Sequence, residues 1–419
     1  MRCFPLLFVV FSFLFHLTPS PAAEPKPAVW GQWRGPTRDG QCQGPAWPDR
    51  LSDGSLKLLW RVSLDPSYSG PIVADNLVFT TATRNQESEV VYALDRKTGK
   101  QCWRAEWKGA MTVPFFAASN GSWIRATPAY DGQALFVAGM RDVLVCLDAQ
   151  SGQERWRVDF VKKLGSPLPA FGFVSSPLVE DDALYVQAGA SVMKLKKATG
   201  DIIWRTLKTN DAMMSGAFSS PVLADLAGRR QLLVQTRQEL AGVDPATGKV
   251  LWRQVVPSFR GMNILTPVVF GDAVFTSSYQ NNSWLFTISR DNERYTVEEK
   301  WSTNAQGYMS TPVVIDGHAY LHLQTQRFTC IDLKTGERTW TSKAFGKYCS
   351  LVARRDRILA LDQRGILLLI KANPKKFELL DKQKISDDET WAHLAVSGNE
   401  LYVRELHALA AYRWGPSEK

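Results

Sequence analysis

The apolar positions of this chain fall in short runs separated by tight turns, and the arrangement repeats. Each unit opens with a small residue and Pro before an apolar pair, as in Ser69-Gly70-Pro71-Ile72-Val73. An Asp/Gly/Asn turn and a second apolar run follow, as in Asp75-Asn76-Leu77-Val78-Phe79. A third strand ends in Asp, then comes a Thr-Gly turn, then a Trp. The first unit reads Ala93-Leu94-Asp95-Arg96-Lys97-Thr98-Gly99-Lys100-Gln101-Cys102-Trp103. Short apolar runs between such turns predict strands.

The opening recurs at Ala126-Thr127-Pro128, Ser175-Ser176-Pro177, Ser219-Ser220-Pro221, Leu265-Thr266-Pro267 and Ser310-Thr311-Pro312. The closing segment recurs at Asp148 to Trp156, Asp244 to Trp252 and Asp332 to Trp340, and at Lys196 to Trp204 with the Asp replaced. A fifth unit keeps Trp301 but has a longer, charged hairpin. A seventh is degenerate, opening at Tyr348-Cys349-Ser350 and ending at Phe377 to Leu380. An eighth runs from Trp391 to Arg413 and lacks a fourth strand. The orphan segment Lys57 to Val62, before the first opening, would complete it and close a ring. From Leu58 to Trp414 the units average about 45 residues, within the range of propeller repeats. The expectation is an all-β, eight-bladed β-propeller of four-stranded antiparallel blades over residues 58–419, with seven blades as the alternative.

The residue types have structural reasons. Asp before the Thr-Gly turn can accept from backbone N–H groups, and Gly takes φ > 0. Trp60, Trp103, Trp156, Trp204, Trp252, Trp301 and Trp340 are large enough to fill the wedge between splayed blades, and each indole N–H needs a partner. Pro is tolerated near the start of the innermost strand, one side of which faces the axis. None of these residues is expected to be catalytic.

Composition narrows the class. The 419 residues are 45% apolar and 22% charged, ordinary for a globular protein. The net charge of +9 is spread over 50 basic and 41 acidic residues. Without a block of like charges a nucleic-acid arm is not expected. Residues 1–23 read as a secretory signal: Arg2, an apolar stretch from Phe4 to Leu17, and small residues at Ser20-Pro21-Ala22 for cleavage near residues 22–23. Cys3 precedes the apolar stretch, so no lipobox is present; an uncleaved anchor is the alternative. Residues 24–57 form a Pro/Gly-rich arm expected to wrap the outside of the disc. Cys42, Cys102, Cys146, Cys330 and Cys349 form neither a disulfide framework nor a metal-ligand spacing, and no metal site is predicted.

The A-L-D-x-x-T-G-x-x-x-W pattern resembles the tryptophan-docking repeat of the pyrroloquinoline-quinone (PQQ)-like propellers, the quinoprotein alcohol dehydrogenase-like and BamB-like superfamily. Five units carry it, so the resemblance covers nearly all of the chain after the signal. The lead-in Trp30-Gly31-Gln32-Trp33-Arg34-Gly35-Pro36-Thr37-Arg38-Asp39-Gly40 looks like the N-terminal hook of exported members. The resemblance implies either a periplasmic quinoprotein dehydrogenase or a non-catalytic propeller of outer-membrane β-barrel assembly. Fold does not decide between them.

Strand parity places the function. In a four-stranded antiparallel blade, the tight first-to-second and third-to-fourth turns share one face. The second-to-third turns and the longer crossovers between blades share the other. Those crossovers bring Tyr68, Arg125, Phe173, Phe218, Asn263, Tyr308, Tyr348 and Trp391 near the axis, a channel-mouth rim suited to a planar ligand or a peptide. The alternative is that these aromatics plug the channel or pack between crossovers. Second-to-third turns carry Arg141, Arg237, Arg327, Arg364 and Arg404, either a positive ring or solvated turn residues; Asp142, Glu239 and Glu405 could neutralise three of them.

The dehydrogenase reading implies a quinone sandwiched by an indole and an adjacent-Cys disulfide, with calcium or a lanthanide on carboxylate and amide oxygens, and an Asp base. The chain has no adjacent Cys pair. Asp211, Asn263 and the Asp387-Asp388-Glu389 run offer oxygens but no recognisable ligand pair. A hydrolase elbow or phosphate loop is also missing. The favoured expectation is therefore an exported, monomeric propeller that binds protein, peptide or glycan on its crossover face, in the periplasm or cell envelope. No cofactor and no nucleic acid are expected. A PQQ-dependent dehydrogenase with calcium, oxidising alcohol or sugar, is the alternative.

Overall fold

A computed structural model describes residues 29–415 of the protein. The secretory-signal reading of residues 1–23 falls outside them. Eight four-stranded antiparallel sheets are arranged as the blades of a propeller. Blade one consists of Ile72–Val73, Leu77–Arg84, Ser88–Asp95 and Gln101–Lys108, in that order from the axis outward. Blades two to seven repeat the order. The degenerate seventh unit is a full blade of Cys349–Arg354, Arg357–Asp362, Ile366–Lys371 and Glu378–Lys384. Blade eight takes three strands from the end of the chain and its outer strand, Leu56–Ser63, from the beginning. Leu56 lies opposite Trp414 and Ser63 opposite Ala408, so the ring is closed by its two ends.

The docking tryptophans explain the repeat. Trp103 on the outer strand of blade one donates to the carbonyl of Ala149 in the closing turn of blade two, at 3.0 Å. Trp60, Trp156, Trp204 and Trp301 donate likewise to Arg96, Lys197, Pro245 and Leu333, each the residue after the Asp position of the next blade. The indole then lies flat on the Gly of that turn. A Cβ on Gly152 would sit 2.4 Å from the Trp103 ring, and Gly152 has φ +73°. Glycine is needed there twice over, for the left-handed backbone and for the close approach. Inside the turn, Asp148 Oδ1 accepts from the Gln150 and Ser151 N–H groups.

Trp252 departs from this scheme. Its neighbour, blade five, has a long hairpin of Ser283–Asp291 and Arg294–Thr303 in place of the Thr-Gly turn. The Trp252 N–H therefore turns back to Gln231 Oε1 at 2.7 Å, within its own blade. Its ring is buried with Trp284 and Phe286.

A second stitch, unforeseen from sequence, runs around the axis. The Ser or Thr immediately before five of the six opening prolines accepts a hydrogen bond from a backbone N–H of the preceding blade. Thr127 accepts from Gly70, Ser176 from Thr127, Ser220 from Ser176, Thr266 from Ser220 and Thr311 from Thr266, at 2.9–3.2 Å. The inner strands are too splayed to pair with one another, so their buried N–H groups need another acceptor. The hydroxyls supply it.

Candidate functional site: the axial cavity

The N-terminal arm departs from the expectation of an outer wrap. Residues 30–42 instead close the channel from the tight-turn side. Trp30 exchanges backbone hydrogen bonds with Val73 of blade one, and the Gly31 carbonyl accepts from Tyr130 of blade two. Gln32 exchanges two hydrogen bonds with Val179 of blade three. Across the axis, Cys42 donates to Ala353 of blade seven and Gly40 accepts from it. Only beyond Gly44 does the arm run over the edge, where Trp47 meets Trp414 edge-on and Leu51 and Ser52 donate to Asp381.

Two arginines of the hook hold this plug. The buried Arg34 guanidinium donates to the Thr311 and Pro312 carbonyls of blade six at 2.8 and 2.7 Å. Arg38 donates to Pro177 and Ser176 of blade three at 2.8 and 3.1 Å. Both residues adopt left-handed backbone, φ 61° and 59°, which costs about 1–2 kcal/mol each and is outweighed by the charge-assisted hydrogen bonds. Between them Trp33 faces both guanidinium groups and meets His393 edge-on at 5.8 Å. Burial and the nearby Arg34 charge push the His393 imidazole down to about 3, so it is neutral at neutral pH.

Above Trp33 a cavity of about 730 Å³ opens to the crossover face. The inner-ring hydroxyl residues Thr127, Ser176, Ser220 and Thr311 line its lower part. Of the eight rim residues expected from sequence, Tyr68, Arg125, Phe218, Tyr308, Tyr348 and Trp391 line it. They are mutually packed: Tyr68 stacks on Trp391 at 4.9 Å and 14°, Trp391 meets Tyr348 at 4.1 Å, and Tyr348 meets Tyr308 at 5.3 Å.

The other two are corrections. Phe173 is 2% exposed and packs on Phe160 in the core between blades two and three. Asn263 is fully buried, its amide donating to the Arg237 and Val256 carbonyls. Both stand four residues before the opening Pro, whereas Val174 and Ile264, three before it like Tyr68, Arg125 and Phe218, line the cavity in their place. The rim read from sequence also left out Phe116, Phe171, Met213 and Phe259, which line the cavity from positions further along the crossovers, and Tyr279, which reaches it from the second-to-third turn of blade five.

No open ring of basic turns forms. Arg404 is buried and donates to carbonyls including Asp65, Glu405 and Ala408. Arg237 donates to Gly261, Met213 and Arg260 carbonyls and lies 4.4 Å over the Phe218 ring. Arg364 pairs with Asp362, Arg327 donates to the Ser342 carbonyl, and Arg141 is exposed. The acids suggested as neutralising partners are engaged elsewhere: Glu405 with Arg61, Glu239 with Arg253, and Asp142 with the Gly189 N–H.

The cavity's charge is one-sided. Arg125, Arg237 and Arg260 line it, and no Asp or Glu does. Burial lowers Arg125 and Arg237 to about 10, which leaves both charged at neutral pH. The residues present do not fit a metal-bound quinone. Such a cofactor needs carboxylate and amide oxygens around the cation, and the lining offers only the Asn120 amide. Asp211 Oδ1 accepts from the Met213 N–H, and Asp388 from His407. Among the described residues no cluster of three His, Cys, Asp or Glu could hold a metal ion, and all five described cysteines are free.

Comparison with known proteins adds the family. Residues 51–110 and 86–342 match the PQQ-like family model described as outer membrane protein assembly factor BamB. The chain belongs to this family. It is 23% identical to the outer membrane protein assembly factor BamB of Yersinia pestis over 262 residues, 59% of this chain and 63% of that protein. The crystal structure of BamB from Moraxella catarrhalis superposes with a TM-score of 0.65 at 15% identity, covering 86% of this chain and all of that one. Quinohemoprotein alcohol dehydrogenase from Comamonas testosteroni also gives 0.65, at 12% identity over 94% of this chain and 81% of that one. At such identities the two structures share the fold with this BamB-family chain, and equally.

Proposed function

We propose that this propeller is a non-catalytic binding module of the cell envelope, holding a protein partner on its crossover face in the service of outer-membrane protein assembly. The observation that carries the reading is the axial cavity, walled by aromatics and methionines, floored by a protein plug, and lined by no carboxylate. Binding by crossover loops on a fixed ring needs no acid–base group. The family match supports the envelope setting. The signal reading of residues 1–23 supports export.

The dehydrogenase reading is tested by titrating the mature protein with PQQ, with and without calcium, in a thermal-shift assay, followed by dye-linked oxidation of alcohols. A ligand that binds only the folded state raises the melting temperature with concentration. We expect no calcium-dependent rise and no dye reduction. A saturable, calcium-dependent rise with dye reduction would replace the binding reading with an enzymatic one.

A further inference from the structure

The composition of the cavity wall specifies what enters it. We propose that the axial cavity is a recognition pocket for a polypeptide segment carrying a bulky apolar side chain beside a carboxylate; this deepens the protein-binding reading above and rests on it.

The carboxylate follows from charge. Three guanidinium groups border the cavity and none of its lining residues is acidic. Arg237 spends its donors on backbone carbonyls and Arg260 is exposed over Phe259, whereas Arg125 is held in place with capacity to spare. Its Nε donates to the Trp123 carbonyl at 3.2 Å and one Nη2 hydrogen bond goes to Gly121 at 3.1 Å. These fix the guanidinium plane, while Nη1 has no hydrogen-bond partner among the described residues. Tyr68 lies beside it, with the Arg125 guanidinium 6.0 Å from the ring centre. A positioned, half-buried guanidinium with two unused N–H groups is a carboxylate anchor. Beyond Tyr68 on the same side, Trp391 Nε1 and, further round, Ser350 Oγ are buried without a partner among the described residues, which native structures rarely leave unexplained.

The apolar side chain follows from the walls. Tyr308, Tyr348 and Trp391 on one side and Phe171, Phe218 and Met214 on the other leave space for an aromatic or branched group. That the occupant is a chain, and not a small acid, follows from the collar outside. Phe115 is 90% exposed, and Phe116, Met213, Phe259 and Met309 are also large apolar residues left in solvent. All five lie on crossovers, and all but Phe115 also line the cavity. An apolar surface continuous from a pocket onto its rim marks an interaction site longer than the pocket.

The test uses the mature protein and defined probes. Acetyl-Leu-Phe with a free carboxylate represents a chain end, acetyl-Glu-Leu-Phe amide an acidic side chain, and acetyl-Leu-Phe amide the uncharged control. Affinities are read by ligand-observed NMR and thermal shift. At least one acidic probe should bind about tenfold more tightly than the control, the worth of one charge-assisted hydrogen bond. Arg125→Gln should bring that probe down to the control's affinity without changing the control, and Arg125→Lys should restore part of the preference. Equal binding of all three probes, or binding by none at millimolar concentration, overturns the carboxylate-and-apolar assignment. A hexapeptide extending the better acidic probe should bind more tightly, and Phe115→Ser should weaken the hexapeptide alone. If 4-phenylbutyrate binds as well as the hexapeptide, the polypeptide assignment falls. Photo-cross-linking of a cellular partner to Phe115 or Phe259 on the collar reports on the protein-binding reading independently of every one of these probes.

Discussion

Gly152→Ala isolates what the docking tryptophan contributes to the ring. Two costs are added at once: an alanine held near φ +73°, and a methyl group 2.4 Å from Cε3 and 2.7 Å from Cδ2 of Trp103. The left-handed backbone alone costs about 1–2 kcal/mol, less a few tenths to 1 kcal/mol gained by stiffening the unfolded chain. Trp103 has little freedom to yield, because its N–H is bonded to Ala149 and Phe79 lies 5.8 Å from its ring. Overpacking of that kind costs about 1–3 kcal/mol, and expelling a buried Trp about 3–5 kcal/mol. Overpacking is the cheaper response, so Gly152→Ala should destabilise by about 2–4 kcal/mol.

Gly398→Ala is the control: φ is +63° and nothing lies within 4 Å of the added carbon, so only the backbone cost of about 1 kcal/mol remains. Both are measured by equilibrium urea unfolding followed by circular dichroism. In a Trp103→Ala background, the Gly152→Ala cost should shrink to that of Gly398→Ala. If the two glycines cost the same in the wild-type background, or if removing Trp103 leaves the Gly152 cost unchanged, the docking argument is wrong.

Further predictions concern the inner ring, the buried acids and the plug. Thr127→Val keeps the shape but leaves the buried Gly70 N–H without its 3.0 Å acceptor; urea unfolding should show a loss of about 1–3 kcal/mol, and Thr127→Ser should restore most of it. Burial raises Glu89 and Asp142 to about 7 despite hydrogen bonds from the neighbouring blade. In each case the folded state keeps a proton that the unfolded chain releases near pH 4, so the contribution is intact below that pH. It falls as pH rises to about 7, by roughly 3 kcal/mol for Glu89 and roughly 4 kcal/mol for Asp142. The stability difference between wild type and Glu89→Gln, followed from pH 4 to 8, should trace that decline and then level off. Arg34→Met removes the guanidinium from the Thr311 and Pro312 carbonyls; it should cost about 3 kcal/mol or more and expose residues 29–43 to limited proteolysis.

The blades were legible because their signals are local and repeated. Each Asp-to-Trp segment states its own turn, its own glycine and its own indole, and five copies agree. Even the degenerate seventh blade could be placed, since its neighbours fix the spacing. The closing strand was legible for the same reason, as the one copy out of order. What escaped the sequence depends on direction across the ring. The Ser and Thr before five of the opening prolines read as merely small, although their hydroxyls bond a different blade. The hook was recognised by its motif, but the carbonyls that bind Arg34 and Arg38 are more than a hundred residues away. Phe173 stands four residues before Pro177 and Phe218 three before Pro221, and that one-residue offset turns the first into the core between blades and the second toward the axis. Arg237 and Arg404 read as surface charge because backbone acceptors leave no trace in sequence.

Whether the crossover face binds a protein is decided by site-specific photo-cross-linking in the producing cells. A photoreactive amino acid replaces Phe115 or Phe259 on the collar, and Lys97 or Lys334 in the tight turns of the opposite face. If the crossover face holds a protein partner, the collar positions yield the same discrete protein adducts and the tight-turn positions do not. Adducts confined to Lys97 and Lys334, or none at the collar when the protein is exported and folded, would contradict that reading.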